Sequence, residues 1–403
     1  MLTVVTLREA AQIIEEAFPP RPSPETVPLE TACSRVLYAP VEAAEYVPGF
    51  DRSTVDGYAV RASDTFGCSD ALPALLTLAG TVEMGAGAGG ALAAGSCVAV
   101  PTGGAIPPGA DAAVMLEDTE DYGDGTVGIC KSAAPGMNLI FRGDDVRPGQ
   151  AVLEAGRRLS PQDIGALAAL GAASVAVCRR PVAGILSTGD ELVPVGTAPG
   201  AGQVRDVNSE MLRALVESAG AQAVCCGIVR DDEAALRDAL DQALSRCDLV
   251  LISGGSSVGA KDATERVVSE QGTLLFHGLA VKPGKPTILG NVRGKPVFGL
   301  PGHPVAALFI SRLLVLPLLE RLMGCVSRRY PIPAAVTESV SANHGRAQLM
   351  GVRLFEEGGK RRARPIRGKS GLITTLAGAD GYFEIPRERE GVAAGEEIDV
   401  YLF

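Results

Sequence analysis

The sequence predicts a multidomain α/β protein, in which a parallel sheet with helices on both faces is joined to separate β-rich regions. Three apolar runs, each followed by a polar loop, alternate with two segments of helical periodicity between residues 179 and 324. Short β-like runs separated by Gly and Pro extend from Phe50 to about Lys131, and a second turn-rich region follows Gly324. Alternating strands and helices favour a parallel sheet, whereas many short strands favour a sandwich or barrel.

Local signals define the remaining elements. Apolar residues at helical spacing between Leu7 and Ala17 predict a first helix, and the segment PPRPSP then ends it. Farther along, Ser160 and Pro161 are a cap and a first residue typical of another helix. We therefore expect four regions: an elongated domain from residues 1–45 and 141–178, a small β domain over 46–140, the α/β domain over 179–324, and a C-terminal β barrel-like domain over 325–403.

Composition and charge exclude several classes of protein. The 403 residues are 46% hydrophobic and 21% charged, as in a folded protein, and the net charge of -10 disfavours nucleic acid as a main partner. The three His are far apart and the nine Cys lack zinc or redox spacing, so a histidine-built metal site is not expected. With no apolar stretch long enough to cross a bilayer and no signal-peptide pattern, we expect a cytoplasmic protein.

The loop SGGSSVG, Ser253 to Gly259, directly follows the apolar run from Leu249 to Ile252. A buried strand that opens into such a loop presents unpaired backbone N–H groups, which suit a phosphate. Asp262 could then hold a divalent cation against that phosphate, because carboxylate oxygens suit Mg²⁺. Taken alone, the loop fits an ordinary strand-to-helix turn equally well.

Polar loops follow the predicted strand ends throughout the α/β region, where ligands bind in parallel sheets. Glu191, Asp231 and Asp262 offer oxygens to a cation. Lys282, Lys285 and the glycine amides offer positive charge to an oxyanion, and this combination is what phosphoryl chemistry requires. Each loop by itself also fits a plain turn. The loops are STGDE at 187–191, RDD at 230–232, SGGSSVGAKD at 253–262, KPGKP at 282–286 and LPGHP at 300–304.

Three further features leave alternatives open. The prolines of KPGKP and LPGHP either hold ligand-binding donors in place or simply end strands and helices. His303 either faces a ligand or is a hydrogen-bonded turn residue. In the β region, Asp56 before Gly57 is by default a hairpin turn, and the segment VPTGGAIPPGAD offers Thr102 to a ligand.

Eight motifs together closely resemble molybdopterin molybdotransferases of the MoeA and gephyrin E-domain type, in order over nearly the whole chain. They are FDRSTVDGYAVR, PTGGAIPPGADAAVMLE, RGDDV, STGDEL, RDD, SGGSSVG with Asp262, KPGKP and GLPGHPVAA. The resemblance implies an α/β domain like that of molybdopterin adenylyltransferases, an elongated arm, and a homodimer in which each cleft is completed by the partner's β domain. It also implies a reaction: adenylylated molybdopterin, supplied by an adenylyltransferase, and molybdate are bound, the phosphoanhydride is cleaved with Mg²⁺, and AMP is released.

The resemblance also implies roles for residues at matching positions. Glu191 and Asp262 correspond to the Mg²⁺ carboxylates, and Asp56 and Thr102 to residues contributed across the dimer. The other catalytic positions are Asp145, Asp231, Lys282, Pro301 and Pro304. The expected substrate-binding residues, besides Thr102, are Ser253, Gly254, Gly255, Ser257, Gly259 and Lys285, with Arg353 and Ser370 near the molybdate.

Three positions depart from the family's pattern. The family commonly has Asn at His303, Val at Ser256, and a lysine where this chain has Gly278. Loss of that lysine should weaken oxyanion binding unless Lys285 or the Arg353 region compensates. The sequence leaves open a tungstate-inserting paralogue, a non-catalytic gephyrin-like scaffold, and a hydrolase that uses the same loops without inserting metal.

Overall fold

The computed structural model describes residues 4–254, 258–325, 330–342 and 345–403, and for residues 258–262 it describes the backbone alone. Contacts divide the chain into two compact units, one of Met1–Tyr38, Gly156–Leu159 and Val175–Phe403, the other of Ala39–Ala155 and Ser160–Ser174. The division into four regions remains a prediction. The helices are α1 (Leu7–Ala17), α2 (Pro161–Ala169), α3 (Val207–Ser218), α4 (Glu233–Arg246), α5 (Val258–Gln271), α6 (Pro304–Ile310) and α7 (Leu316–Leu322).

A six-stranded sheet forms the centre of the first unit. Its first four strands are parallel, which confirms the α/β prediction, and the last two run antiparallel to their neighbours. Helices cover both faces: α3 packs with α1 in one core, and α4 and α5 pack in the other. In spatial order the strands are Gln222–Val229, Val182–Thr188, Leu249–Gly254, Lys295–Leu300, Ile288–Val292 and Thr273–His277.

Capping side chains mark the residues at which several helices begin. Thr6 and Glu9 form a capping box on α1, and Ser160 and Asp163 form one on α2, as the sequence predicts. Asp side chains cap the two helices of the alternating region, at α3 and α4. Among the described residues, no helix is long and apolar enough to cross a membrane.

A closed five-stranded barrel forms the C-terminal region, as predicted. Ala347–Glu357 pairs with both Lys360–Pro365 and Gly381–Ile385, so the sheet closes on itself. The short strand Val281–Lys282 joins it, with Lys282 opposite Gln348. This pairing ties the KPGKP loop of the α/β sheet to the barrel. The two remaining barrel strands are Ile332–Val336 and Glu397–Leu402.

The second unit contains a six-stranded sheet of its own, as the short β-like runs predict. Its strands in spatial order are Ala112–Met115, Gly57–Val60, Ser96–Val100, Ala74–Thr81, Thr126–Ile129 and Thr119–Asp121. The expected hairpin turn at Asp56 and Gly57 is wrong: Gly57 begins a central strand and pairs with Val100 and Met115. A side chain at Gly57 would lie 1.8 Å from the carbonyl oxygen of Val114, so close strand packing explains this glycine.

Shorter strands complete both units. Two of them, Leu192–Val193 and Val204–Arg205, pair in parallel in the segment that leads to α3. The others are Pro24–Pro28, Val41–Glu42, Arg52–Ser53, Leu139–Ile140, Ala151–Leu153, Ser174–Cys178, Val340–Ser341 and Gly391–Val392.

Candidate active site

The parallel strands bring the predicted loops of the α/β region to one edge of the sheet. Thr188 lies opposite both Val229 and Gly254, and Ser253 lies opposite Leu300. Each of these residues is at or next to the end of its strand, so the polar loops begin side by side. A side chain at Gly254, where φ is +140°, would lie 2.1 Å from the carbonyl oxygen of Thr188. Only glycine permits this approach of two loops.

Carboxylates gather where STGDE meets RDD. The Gly189 N–H donates to the Val229 carbonyl at 3.3 Å. Partial burial raises the pKa of the Asp231 carboxyl, and the nearby charges of Glu191 and Asp190 raise it further. The structure therefore brings Glu191 and Asp231 together, as the sequence predicts. Repulsion of this kind is relieved by a cation.

The Glu191 carboxylate folds back over Gly189. A side chain built at Gly189, where φ is +152°, would meet Oε2 of Glu191 at 2.7 Å and Oε1 at 2.9 Å. The glycine of STGDE therefore leaves the space that the carboxylate occupies. Among the described residues, no three His, Cys, Asp or Glu side chains form a group that could hold a metal by themselves.

Glu191 lines a cavity of about 310 Å³, which we call the acidic pocket. Its floor is polar and buried: Ser187 and Ser253 are each 1% exposed. Ser253 and Gly254, both predicted to bind substrate, line it, as does Pro304, the first residue of α6. Sequence reasoning missed three further polar lining residues, Arg205, Asp206 and Asn208. Their only signal is their position just before and inside the start of a helix.

A larger cavity of about 780 Å³, the basic pocket, lies where KPGKP meets the barrel. Its cationic lining residues are Lys282, Lys285, Arg346, Arg367 and Lys369. No described carboxylate lines it, and within the described residues no carboxylate pairs with Lys282, Lys285 or Lys369. Arg367 is partly neutralised by Glu338, 3.3 Å away. Pro301 and Phe309 contribute to an apolar wall. Such a cavity suits an anion attached to a flat or apolar group.

Much of the positive charge of the basic pocket comes from residues of the barrel region. None comes from position 278, where the family commonly has a lysine. Gly278 is buried with φ of +111°, and a side chain there would meet Val4 at 3.1 Å. Lys285 does line the pocket, but Arg353 does not: its Nε donates to the Gly378 carbonyl at 3.0 Å. Sequence reasoning missed Arg346, Arg367 and Lys369, which only the fold of the barrel brings here.

His303 lies at the border of the two pockets and lines both. Its Nδ1 is 2.7 Å from Oγ of Ser370, and the Val305 N–H donates to the Ser370 carbonyl at 3.1 Å. His303 is therefore a hydrogen-bonded residue, as one alternative predicts, and its contact with a ligand remains a prediction. Ser370, the predicted barrel residue, lies in the basic pocket.

Four predicted residues fall where the structure gives no side-chain description. Gly255 and Ser257 lie outside the described residues, and for Gly259 and Asp262 the backbone within α5 is described. Their predicted contacts with phosphate and cation therefore remain predictions.

The second unit brings Asp56 and Thr102 together. Oδ1 of Asp56 accepts a hydrogen bond from the Thr102 N–H at 2.7 Å, and both residues are exposed. Asp145 is also exposed, and its N–H donates to the Val47 carbonyl at 3.1 Å. The motifs that contain Asp56 and Thr102 are far apart in the sequence, and they thus meet at an exposed site that carries the Asp56 carboxylate.

Models of known protein families match nearly the whole chain. Residues 5–171 match the model of the MoeA N-terminal region (domain I and II), residues 184–321 the model described as "Probable molybdopterin binding domain", and residues 333–403 that of the MoeA C-terminal region (domain IV). The molybdopterin molybdenumtransferase of Haemophilus influenzae is 34% identical, with 99% of each chain covered. Molybdopterin molybdenumtransferase 2 of Mycobacterium tuberculosis is 36% identical over 94% of this chain and 95% of its own.

A solved structure supports the same assignment. The molybdopterin biosynthesis MoeA protein of Pyrococcus horikoshii superposes with a TM-score of 0.88 at 33% identity, covering 99% of this chain and all of its own. Sequence and fold agree from the first region to the last. The chain therefore belongs to the MoeA family.

Proposed function

We propose that this protein transfers molybdenum from molybdate to adenylylated molybdopterin, with Mg²⁺-dependent release of AMP. The observation that carries the proposal is a pair of adjoining pockets that meet at His303. One is lined by lysines and arginines, and the other by two carboxylates and one arginine, Arg205. The names of the relatives, molybdopterin molybdenumtransferases, support the same reaction over a scaffold role.

The basic pocket is suited to molybdate. Molybdate is a tetrahedral dianion, and the substrate's pyrophosphate is anionic as well. Two unit charges 4 Å apart repel by about 4 kcal/mol in a partly screened site. Lys282 and Lys285, which pair with no described carboxylate, offset that repulsion and hold the oxyanion beside the anhydride. The hydrogen bond between His303 and Ser370 keeps the pocket's border in place.

The acidic pocket fits a hydrated Mg²⁺. Glu191 lines it, and the pKa of the nearby Asp231 is raised by burial and then by the charges of Glu191 and Asp190, which a cation would offset. Asp262, on α5, is the second carboxylate that the resemblance implies. When bound, Mg²⁺ would neutralise charge that develops on the phosphate oxygens. Ser253 and the Gly254 backbone line the same cavity, where their polar groups can orient the phosphate.

The proposal extends to a cytoplasmic homodimer. Asp56 and Thr102 form a joint feature in one unit, while the two pockets lie in the other. We infer that these two residues serve the pockets of a partner subunit and that an adenylyltransferase supplies the substrate. Dimers of two differently mutated chains can test whether Asp56 serves the pockets of the partner subunit.

The decisive experiment measures AMP released from adenylylated molybdopterin with and without molybdate. We expect release to require both Mg²⁺ and molybdate, and Lys282→Ala to raise the molybdate concentration needed by tenfold or more. Lys360→Ala, on a barrel strand and outside both pockets, is the matched control. AMP release that is equal without molybdate would favour a hydrolase, and release supported by tungstate alone would favour the tungstate paralogue.

A further inference from the structure

Asp206 and Asn208 line the acidic pocket, and neither has yet been given a role. We propose that Asp206 and Asn208 complete its cation site, Asp206 through its carboxylate and Asn208 through its amide Oδ1. The identity of the cation as Mg²⁺ rests on the proposed function, whereas the site itself rests on the geometry of these two residues.

Backbone pairing joins the segment that follows Glu191 to the segment that leads to Asp206. The Val204 N–H donates to the Glu191 carbonyl at 2.8 Å, and the Asp206 N–H donates to the Val193 carbonyl at 2.9 Å. Glu191 therefore precedes one of two parallel two-residue strands, and Asp206 follows the other. Both carboxylates line the same cavity.

Asp206 is only 6% exposed, which is unusual for a carboxylate that no cation pairs with among the described residues. Its Oδ1 caps α3 by accepting from the Ser209 N–H at 3.1 Å. Arg205 also borders the pocket, but its Nε donates to the Val195 carbonyl at 3.0 Å. A buried carboxylate needs a counter-charge, and Asp206 lines a cavity that can hold one.

Asn208 is 8% exposed, and its side chain links the loops that contain Ser253 and Gly302. Its Nδ2 donates to Oγ of Ser253 at 2.7 Å and to the carbonyl of Gly302 at 2.9 Å. A carbonyl can only accept, so the orientation of the amide is fixed. Oδ1 is left buried without a hydrogen-bond partner. A buried acceptor without a donor is costly, and such an atom calls for a ligand.

The oxygen atoms of Glu191, Asp206 and Asn208 determine which kind of ligand fits the site. Two carboxylates and an amide oxygen are acceptors only, so they reject a bare phosphate and accept a cation, its waters or an N–H group. Mg²⁺ prefers hard oxygens and keeps several waters, which a cavity of about 310 Å³ can hold. The charge of Glu191 and Asp206 favours the cation over a neutral N–H donor.

Mn²⁺ serves as the probe, because the electron paramagnetic resonance of its free aqueous ion measures binding without turnover. Titrations of the full chain, alone and with AMP, should show saturable Mn²⁺ binding. Asp206→Asn keeps the cap on α3, since Asn caps as well as Asp does, and should weaken Mn²⁺ binding by tenfold or more. Asn208→Ala should also weaken it, and Glu191→Gln is the reference for a lost ligand.

Asp232→Asn is the matched control. Asp232 caps α4 in the same way, accepting from the Ala235 N–H at 2.9 Å, and lies outside the pocket. It should bind Mn²⁺ like the wild type. Thermal unfolding without metal checks that Asp206→Asn folds, and the rise in Tm caused by Mn²⁺ should shrink in this variant.

Wild-type Mn²⁺ affinity in Asp206→Asn would overturn the proposal, and so would the absence of saturable binding in the wild type under both conditions. An N–H ligand would instead give unchanged Mn²⁺ affinity with weaker binding of the pterin nucleotide. Failure of the proposed function is separate: Mn²⁺ binding that depends on Asp206, without AMP release from the adenylylated pterin, would leave this site standing and remove the reaction.

Discussion

Nδ1 of His303 lies 2.7 Å from Oγ of Ser370, so a residue at the start of α6 is bonded directly to a loop that follows the barrel strand Lys360–Pro365. The Val305 N–H adds a second bond to the Ser370 carbonyl. The two pockets meet at this junction, because His303 lines both. The two pockets therefore share one residue of their walls.

Ser370→Ala should separate the barrel loop from His303. The hydroxyl is only partly buried, so we expect a loss of about 0.5–1.5 kcal/mol in the free energy of unfolding. The concentration of molybdate needed for half-maximal AMP release should rise several-fold, with a smaller change in kcat. Ser245→Ala removes a similar hydroxyl from the exposed surface of α4 and should leave both quantities unchanged. Equal kinetics in the two variants would show that the junction does not affect binding.

Gly189→Ala should displace the Glu191 carboxylate. The new methyl group would lie within 3 Å of both carboxylate oxygens, and φ of +152° disfavours any residue other than glycine. We expect at least a tenfold loss of Mg²⁺-dependent AMP release and weaker Mn²⁺ binding. Gly196→Ala, where a side chain meets nothing within 4 Å, is the control. If Gly189→Ala binds Mn²⁺ as the wild type does, Glu191 is not a ligand in its observed position.

These local relationships show what sequence reasoning can reach. The position of STGDE, RDD and LPGHP at one edge was predictable, because each follows an apolar run and parallel strands align their carboxyl ends. The conformation of Asp56 and Gly57 was not, because contact with Val114, far along the chain, overrides the local turn preference.

The positive charge of the basic pocket could not be predicted from the sequence either. Lys369 and Arg346 reach the basic pocket because the barrel closes and because Lys282 pairs with Gln348. No spacing in the sequence signals such a contact. Asp206 and Asn208 look like ordinary residues at a helix start until the cavity and the unpartnered Oδ1 are seen.

Asp231 should make stability depend on pH. Its pKa is raised in the fold, first by burial and then by Glu191 and Asp190, so the folded protein binds a proton more readily than the unfolded chain. This contribution to stability is fully present below the unfolded value of 3.8 and is lost as pH rises through the higher folded pKa. Asp231→Asn should flatten the dependence of Tm on pH in this range and raise Tm at neutral pH.

The control for this experiment is Asp232→Asn, which changes the neighbouring carboxylate at the cap of α4. Its pH profile should keep the wild-type slope. Mg²⁺ should raise Tm of the wild type more at neutral pH than at pH 4, because the carboxylates it relieves are then charged. An unchanged slope in Asp231→Asn would mean that another group dominates the acidic range.

Mixed dimers test whether Asp56 acts across the subunit boundary. Asp56→Asn keeps an oxygen for the Thr102 N–H, 2.7 Å away, so the loop should stay folded while the charge is lost. Homodimers of Asp56→Asn and of Glu191→Gln should each release little AMP. A heterodimer with one chain of each kind, purified by two different tags, regains one intact site if Asp56 serves the partner, because the Asp56→Asn chain supplies Glu191 and the other chain supplies Asp56. We therefore expect about half of the wild-type activity per dimer. If both residues act within one chain, every site carries a defect, and the heterodimer should be as inactive as the two homodimers.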